Sequence, residues 1–300
     1  TMDTATEHLF GESTESLTKG TGDGFAEAFS RSQDHAVKAS RWRGVGLETL
    51  IKLLPPNAQY ERDRKFIHDF TDSYVEKALA KSTQLKESLP KDTARYVFID
   101  ELVRQTTDRV RIRSEALNVL LAGRDTTASL LTNVWFILSN RPDVWAKLQV
   151  EIAHFELYGS PPSFEQLKEM KYLRALLNES LRLYPVVPVN GREALEDTIL
   201  PLGGGPNGNA PIFVPKGSVV MWSVYTMHRR KDYFGEDAEE FNPDRWLDEP
   251  QNDRNGIRPT WEYLPFNGGA RICLGQQFAL TEASYTIVRM CQAFDKIESR

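Results

Sequence analysis

One of the two cysteines in the chain lies in a short stretch that is rich in glycine. The sequence FNGGARICLG runs from Phe266 to Gly275 and places Cys273 two residues after Arg271. Three glycines in ten residues predict backbone that turns with positive φ or approaches another group closely. A nearby cation favours the thiolate, which is the form that attacks electrophiles and binds metals. The stretch therefore predicts a metal ligand or a nucleophile, and an inert buried cysteine is the alternative.

A second candidate is the acid–base pair in the sequence NESLR. Glu179 and Arg182 lie three residues apart, a spacing that places them on one face of a helix and permits an ion pair. A solvated pair on a helix surface would have the same spacing. The pattern gains a functional meaning only together with other motifs.

The sequence AGRDTT, residues 122–127, interrupts the longest apolar run of the chain, residues 116–138. The run is long enough for a membrane span, but Arg124 and Asp125 at its centre would each cost about 2.5–3.5 kcal/mol there. We therefore expect a buried helix with a polar centre. The threonines of that centre could bond to earlier carbonyls. Burial of an acidic side chain inside a helix nevertheless costs free energy, and this cost favours a functional role for Asp125.

The composition excludes several classes of protein. The 300 residues are 40% apolar, and the net charge of −5 argues against a general nucleic-acid binder. Two cysteines cannot build a disulfide framework. No CxxC or HxxxH pair occurs, so a four-ligand zinc site is not expected.

Helices must position NESLR and AGRDTT, whereas strands and loops lead to the cysteine stretch. Phe66, Phe70 and Tyr74 recur every four residues, which predicts an amphipathic helix. Further helices are predicted from about Asp108 to Ser139, from Pro142, and up to the proline stop at residue 185.

The segment TILPLGGGPNGNAPIFVPKGSVVMW predicts short strands around a glycine-rich turn. We expect one mainly α domain with a small β element over residues 1–300, with helices in 1–185, strands and loops in 186–272, and a final helix from about Leu274. The sequence starts TMDTATEHLF, with Thr and not Met at position 1 and without a signal or anchor pattern, and we expect a piece of a longer protein.

Taken together, these motifs resemble the cytochrome P-450 superfamily of haem-thiolate monooxygenases. The pattern FxxGxRxCxG is matched by Phe266, Gly269, Arg271, Cys273 and Gly275. The resemblance implies a haem-thiolate fold, incomplete at both ends, in which Cys273 is the axial ligand of the iron of haem b. It implies that Arg271 binds a haem propionate and that the other pattern residues shape the cofactor loop.

The same resemblance gives roles to the other motifs. It implies that Glu179 and Arg182 join Arg245 of FNPDRW in a buried structural triad, and that Arg192 binds a second propionate. An exposed surface arginine is the alternative for Arg192. In the AGRDTT segment, Ala122 would leave room for dioxygen. Asp125 and Thr126 would form the acid–alcohol pair that delivers protons during oxygen activation.

The segments LPLGGGPNGNAPIFVPKG and FNGGARICLGQQFALTEASY resemble the fungal n-alkane and fatty-acid hydroxylase branch. This implies hydroxylation of a small, long-chain apolar substrate with dioxygen, and electrons that come from NADPH through an NADPH–cytochrome reductase. It implies a location on the endoplasmic-reticulum membrane; a soluble, cytoplasmic chain is the alternative, since the sequence carries no anchor. The basic sequence HRRK, residues 228–231, is either a solvated turn or part of a surface for the reductase.

Two alternative functions stay open at this point. The same chemistry could act on a secondary metabolite or an aromatic xenobiotic. The chain could also be a catalytically silent fragment that binds haem or does not fold, because family members carry an anchor, a β region and early helices ahead of the part that this sequence matches.

Overall fold

The computed structural model describes residues 1–18, 24–44, 57–85, 96–248 and 255–298. Parts of the predicted regions fall between these ranges, among them residues 249–254 of the predicted strand-and-loop region 186–272, and lie outside the described residues. The described chain is mainly α with a small β element, which confirms the predicted fold class. Its helices are α1 (Met2–Phe10), α2 (Phe25–Gly44), α3 (Ala58–Leu85), α4 (Phe98–Gln105), α5 (Arg109–Asn140), α6 (Pro142–His154), α7 (Phe164–Glu169), α8 (Lys171–Leu183), α9 (Val224–Met227), α10 (Lys231–Phe234) and α11 (Gln276–Ala293).

The chain divides into two compact units, residues 1–125 and residues 126–300. The first half of α5 belongs to the first unit and the second half to the second unit. Each unit has its own cluster of buried apolar side chains.

The first unit is a group of helices in which α3 contacts both α2 and α4. The predicted stripe on α3 supplies part of its core: Ile67 and Val75 are buried, and Phe70 stacks on Phe25 with 4.2 Å between ring centroids. Phe66 remains 41% exposed. The buried face of α3 therefore includes Ile67 and Val75 as well as Phe70, and the predicted aromatic residues alone do not define it.

The second unit is built on α6, α8 and α11, which contact one another. Pro142 occupies the first turn of α6, as expected. The segment predicted as one helix before residue 185 is divided into α7 and α8 at Met170, where ψ is 92°. The carboxylate of Glu151 explains the new start, because it accepts the backbone N–H groups of Tyr172 and Leu173 at 2.7 and 2.8 Å.

The described residues contain four strands, which form two antiparallel pairs. Strand β1 (Val189–Glu193) pairs with β4 (Val219–Ser223), and β2 (Thr198–Gly204) pairs with β3 (Ala210–Val214). The predicted turn between β2 and β3 contains Gly205 and Gly208, whose φ angles are 71° and 68°. Both lie in the left-handed region, which glycine adopts without steric cost.

Short elements complete the second unit. In the part of the chain that the structure describes, 3-10 turns lie at Pro243–Trp246 and Gly269–Arg271, and the final helix α11 begins at Gln276, two residues later than predicted. None of the helices in the described ranges combines the length and the apolar character that a membrane span requires.

Candidate functional site

Glu179 is the centre of a buried polar network. Its carboxylate accepts two hydrogen bonds of 2.8 Å from the guanidinium of Arg182 and one of 2.9 Å from Nε of Arg245. Glu179 and Arg182 are fully buried, and Arg245 is 7% exposed. The structure therefore brings the three residues together as expected. The alternative of a solvated pair on a helix surface does not fit Glu179 and Arg182.

Further partners of this network could not be found from the motif. The indole N–H of Trp246 and the backbone N–H of Asn242 each donate to Glu179 at 2.9 Å. Asp237 accepts from Arg245 at 3.0 and 3.2 Å, and these bonds lower the pKa of the Asp237 carboxyl. Every lone pair of the buried Glu179 carboxylate is thus used, which offsets the cost of removing its charge from water.

His228 connects this network to the stretch that precedes the cysteine. Its Nδ1–H donates to the carbonyl of Arg182 at 3.2 Å, and its Nε2 accepts the backbone N–H of Leu264 at 2.8 Å. The ring is fully buried, so the prediction of a solvated turn is wrong for His228. Burial, together with the charges of Arg182 and Arg229, lowers the pKa of His228 to about 4. The imidazole is therefore neutral at physiological pH.

The cysteine loop is closed by one backbone hydrogen bond, from the N–H of Cys273 to the carbonyl of Phe266, at 2.9 Å. Phe266 packs against the core of the second unit, which anchors the loop at its start. Gly269 has a φ of 66° and begins the 3-10 turn. The Cys273 side chain is exposed, and Gly275 is the N-cap of α11.

Arg192 and Arg271 line the same cavity. The cavity has a volume of about 380 Å³, and its wall is formed by Arg192, Trp222, Met227, Trp261, Leu264, Asn267, Gly268, Ala270 and Arg271. None of these described residues is acidic. Two guanidinium groups in a wall without carboxylates favour an anionic ligand, because each is a fixed donor of charge-assisted hydrogen bonds.

The residues of this region suit a haem. Trp222 Nε1 is buried and has no hydrogen-bond acceptor among the described residues, so the cavity wall has a spare donor beside its two arginines. Within the described ranges, no group of three or more His, Cys, Asp or Glu side chains could hold a bare metal ion. A single exposed cysteine suits an iron whose other ligands come from a macrocycle. Cys273 does not itself line the cavity but lies two residues beyond Arg271.

The predicted catalytic pair lies on α5, with Asp125 as the last residue of the first unit and Thr126 as the first residue of the second. Asp125 is paired with its neighbour Arg124 at 2.8 Å, a partner that the motif did not suggest. Ala122 lies three residues earlier on the same helix, and Thr126 follows Asp125. The hydroxyl of Thr127 is buried and accepts no hydrogen bond from, and donates none to, the described residues. The catalytic roles of Asp125, Thr126 and Ala122 stay predictions.

Comparison with known proteins identifies the family. The sequence model of the family Cytochrome P450 matches residues 1–298. Cytochrome P450 52E1 of Candida apicola is 48% identical over 316 residues, which is 99% of this chain and 58% of that protein. Cytochrome P450 monooxygenase himC of Aspergillus japonicus is 46% identical over 305 residues, which is all of this chain and 52% of that protein. The chain thus spans just over half the length of these relatives.

The fold is also found in a solved structure. A cytochrome P450 crystal structure, that of CYP102L1, superposes on 97% of this chain with a TM-score of 0.72. The match covers 59% of that protein at 23% sequence identity. This similarity supports the fold assignment, and the two fungal relatives agree with the predicted resemblance to a fungal branch.

Proposed function

The chain belongs to the cytochrome P450 family, and on that premise we propose that the protein is a haem-dependent monooxygenase of long-chain apolar substrates. The cavity with Arg192 and Arg271 is the observation that carries this proposal. Two arginines that are far apart in the sequence meet in one wall, next to the loop of Cys273. This arrangement suits the two propionates and the iron of haem b.

The protein's own residues would do the holding and the proton transfer. Cys273, as thiolate, would ligate the iron, and Arg192 and Arg271 would pair with the propionates. When bound, haem supplies the activation of dioxygen for insertion of one oxygen atom into a C–H bond. Asp125 and Thr126 would supply protons from α5, with Arg124 holding the Asp125 carboxylate in place. The network of Glu179 would keep the cysteine loop in position through His228 and Leu264.

A long-chain alkane or fatty acid is the substrate class that we propose. It is supported by the resemblance of the segments 200–217 and 266–285 to that branch of the family. Val187, which precedes β1, and Val189, its first residue, are 43% and 45% exposed, so this segment presents apolar surface to a ligand. Hydroxylation assays with a fatty-acid panel and an aromatic panel on the full-length protein would distinguish this class from secondary metabolites and xenobiotics.

An NADPH–cytochrome reductase at the endoplasmic-reticulum membrane is the electron donor that we propose. The basic sequence at residues 228–231 would add little net positive charge to a docking surface. His228 is buried, and the other three charges are paired: Arg229 with Glu239, Arg230 with Asp232, and Lys231 with Glu236 at 2.9 Å. Reductase-dependent oxidation of NADPH by the full-length protein, in vesicles with the reductase, would test this partnership.

A carbon monoxide difference spectrum tests the haem assignment itself. The chain is expressed with a supply of haem, reduced, and compared with the variant Cys273→Ser. A strongly red-shifted Soret band in the wild type, lost in the variant, is expected for thiolate ligation. A band at the position of an ordinary haem protein, or no band, would show that this chain does not hold the cofactor through Cys273. It would favour the silent-fragment alternative.

A further inference from the structure

Trp222 shares one face of a two-stranded sheet with an arginine of the candidate cofactor site. In the β1–β4 pair, Asn190 lies opposite Trp222 and Arg192 lies opposite Val220. Opposed residues of an antiparallel pair project to the same side, as do residues two apart on one strand. Asn190, Arg192 and Trp222 therefore share a face. The Arg192 guanidinium lies 5.3 Å from the centroid of the Trp222 ring.

A side-chain hydrogen bond joins this face to the cysteine loop. Asn190 Nδ2 donates to Asn267 Oδ1 at 2.9 Å, and Asn190 Oδ1 accepts the backbone N–H of Gly191 at 3.0 Å. Asn267 has a φ of 60°, which places its backbone in the left-handed region that asparagine tolerates better than most residues. The bond brings the loop that carries Arg271 against the sheet that carries Arg192 and Trp222, with the cavity between them.

The polar edge of Trp222 has no use within the described protein. Its Nε1–H is shielded from solvent and finds no acceptor among the described residues. An indole N–H can only donate, and a buried donor that is left unpaired is costly. The described cavity wall offers guanidinium groups and no carboxylate. A complementary acceptor would therefore belong to a bound molecule, and the neighbouring arginines favour an anionic oxygen.

We propose that Trp222 is a third donor to the carboxylates of the cofactor, with its indole N–H directed at a propionate that Arg192 or Arg271 also binds. The inference rests on the proposed haem binding, and it assigns a contact that the loop motif and the two arginines do not imply. The stacked arrangement of Arg192 on the Trp222 ring would hold both donors toward the same group.

This contact can be tested by titrating the wild-type chain and variants of Trp222 with haem and with a modified haem. Replacement of Trp222 by benzothienylalanine keeps the bicyclic shape and removes only the N–H; Trp222→Phe is the genetic counterpart. Each protein is titrated with haem and with haem dimethyl ester, whose propionates carry no charge. Trp261→Phe is the control, because Trp261 lies in the same cavity wall and has no role in the proposal.

Removal of the N–H should weaken haem binding by about tenfold, the usual loss for a hydrogen bond to a charged group, and weaken binding of the dimethyl ester much less. Trp261→Phe should change both affinities by the same factor. Equal loss for both ligands on removal of the Trp222 N–H, or no loss, would overturn the inference while haem binding stands. Failure of the wild-type chain to bind haem would overturn the proposed function and this inference with it.

Discussion

His228 Nε2 accepts the backbone N–H of Leu264 at 2.8 Å, and this bond joins the end of α9 to the stretch that leads into the cysteine loop. The opposite ring nitrogen donates to the carbonyl of Arg182. Only one neutral tautomer can make both bonds. Protonation would turn Nε2 into a donor that faces another donor, so the link depends on the charge state of one buried imidazole.

The link through His228 predicts that the free energy of unfolding decreases as the pH is lowered from about 6.5 to about 4. Burial, with Arg182 and Arg229 adding to it, lowers the pKa of folded His228 from 6.5 to about 4. In that interval the unfolded chain binds the proton and the folded chain does not, so acid favours unfolding. The loss should reach about 3 kcal/mol below pH 4. Urea unfolding of the wild type and His228→Gln over this range measures the difference, since the carboxyl groups contribute equally to both. Parallel curves would contradict the prediction.

Removal of the charge at the centre of the buried network should be severely destabilising. Glu179→Gln leaves Arg182 without its anionic partner and Arg245 with Asp237 alone, and we expect a loss of about 3–5 kcal/mol in the free energy of unfolding. Glu239→Gln is the matched control, because Glu239 is 67% exposed and pairs with Arg229 at the surface. Its loss should stay below about 1 kcal/mol. Denaturant unfolding compares the two, and similar losses would show that the network is not a major source of stability.

The two glycines that flank Cys273 should respond differently to alanine. Gly269 has a φ of 66°, so Gly269→Ala should cost about 1–2 kcal/mol in the free energy of unfolding. Gly275 has a φ of −89°, and a Cβ there would meet no atom within 4 Å. Gly275→Ala should therefore leave the stability of the haem-free chain unchanged. Thermal unfolding of both haem-free variants checks the contrast. A loss of haem affinity in Gly275→Ala alone would mean that the cofactor, and not the chain, requires that glycine.

The two thiols should differ in reactivity. Cys273 is exposed, whereas Cys291 is 5% exposed and burial raises its pKa to about 12. A disulfide reagent at pH 8 should modify one thiol per folded chain and two in denaturant. The fast reaction should vanish in Cys273→Ser and persist in Cys291→Ala. Modification of two thiols in the folded wild type would contradict the described burial of Cys291.

Local patterns in the sequence predicted those features that depend on nearby residues. The helix starting at Pro142, the long helix around AGRDTT and the hairpin turn at Gly205 and Gly208 all follow from periodicity, proline and glycine over a few positions. The meeting of Glu179 with Arg182 was also accessible, because residues three apart on a helix share a face.

Contacts over long sequence separations were not accessible from the residues alone. Trp246 donates to Glu179 from 67 positions away, and Leu264 lies 36 positions from His228. No local periodicity of the sequence predicts contacts over these separations. The pairing of Asp125 with Arg124 was missed for another reason, since adjacent residues on a helix do not ordinarily face each other.

The segment between α8 and α9 begins and ends at neighbouring positions in the fold. Arg182 donates to the carbonyl of His228 at 2.9 Å, Arg229 donates to the carbonyl of Leu183, and β1 pairs with β4 just beyond. These hydrogen bonds thus hold together the two chain segments from which the β2–β3 hairpin projects. For protein engineering this makes the turn around Gly208 an attachment point: a peptide tag or a fluorophore inserted there would lengthen the hairpin without separating those two segments.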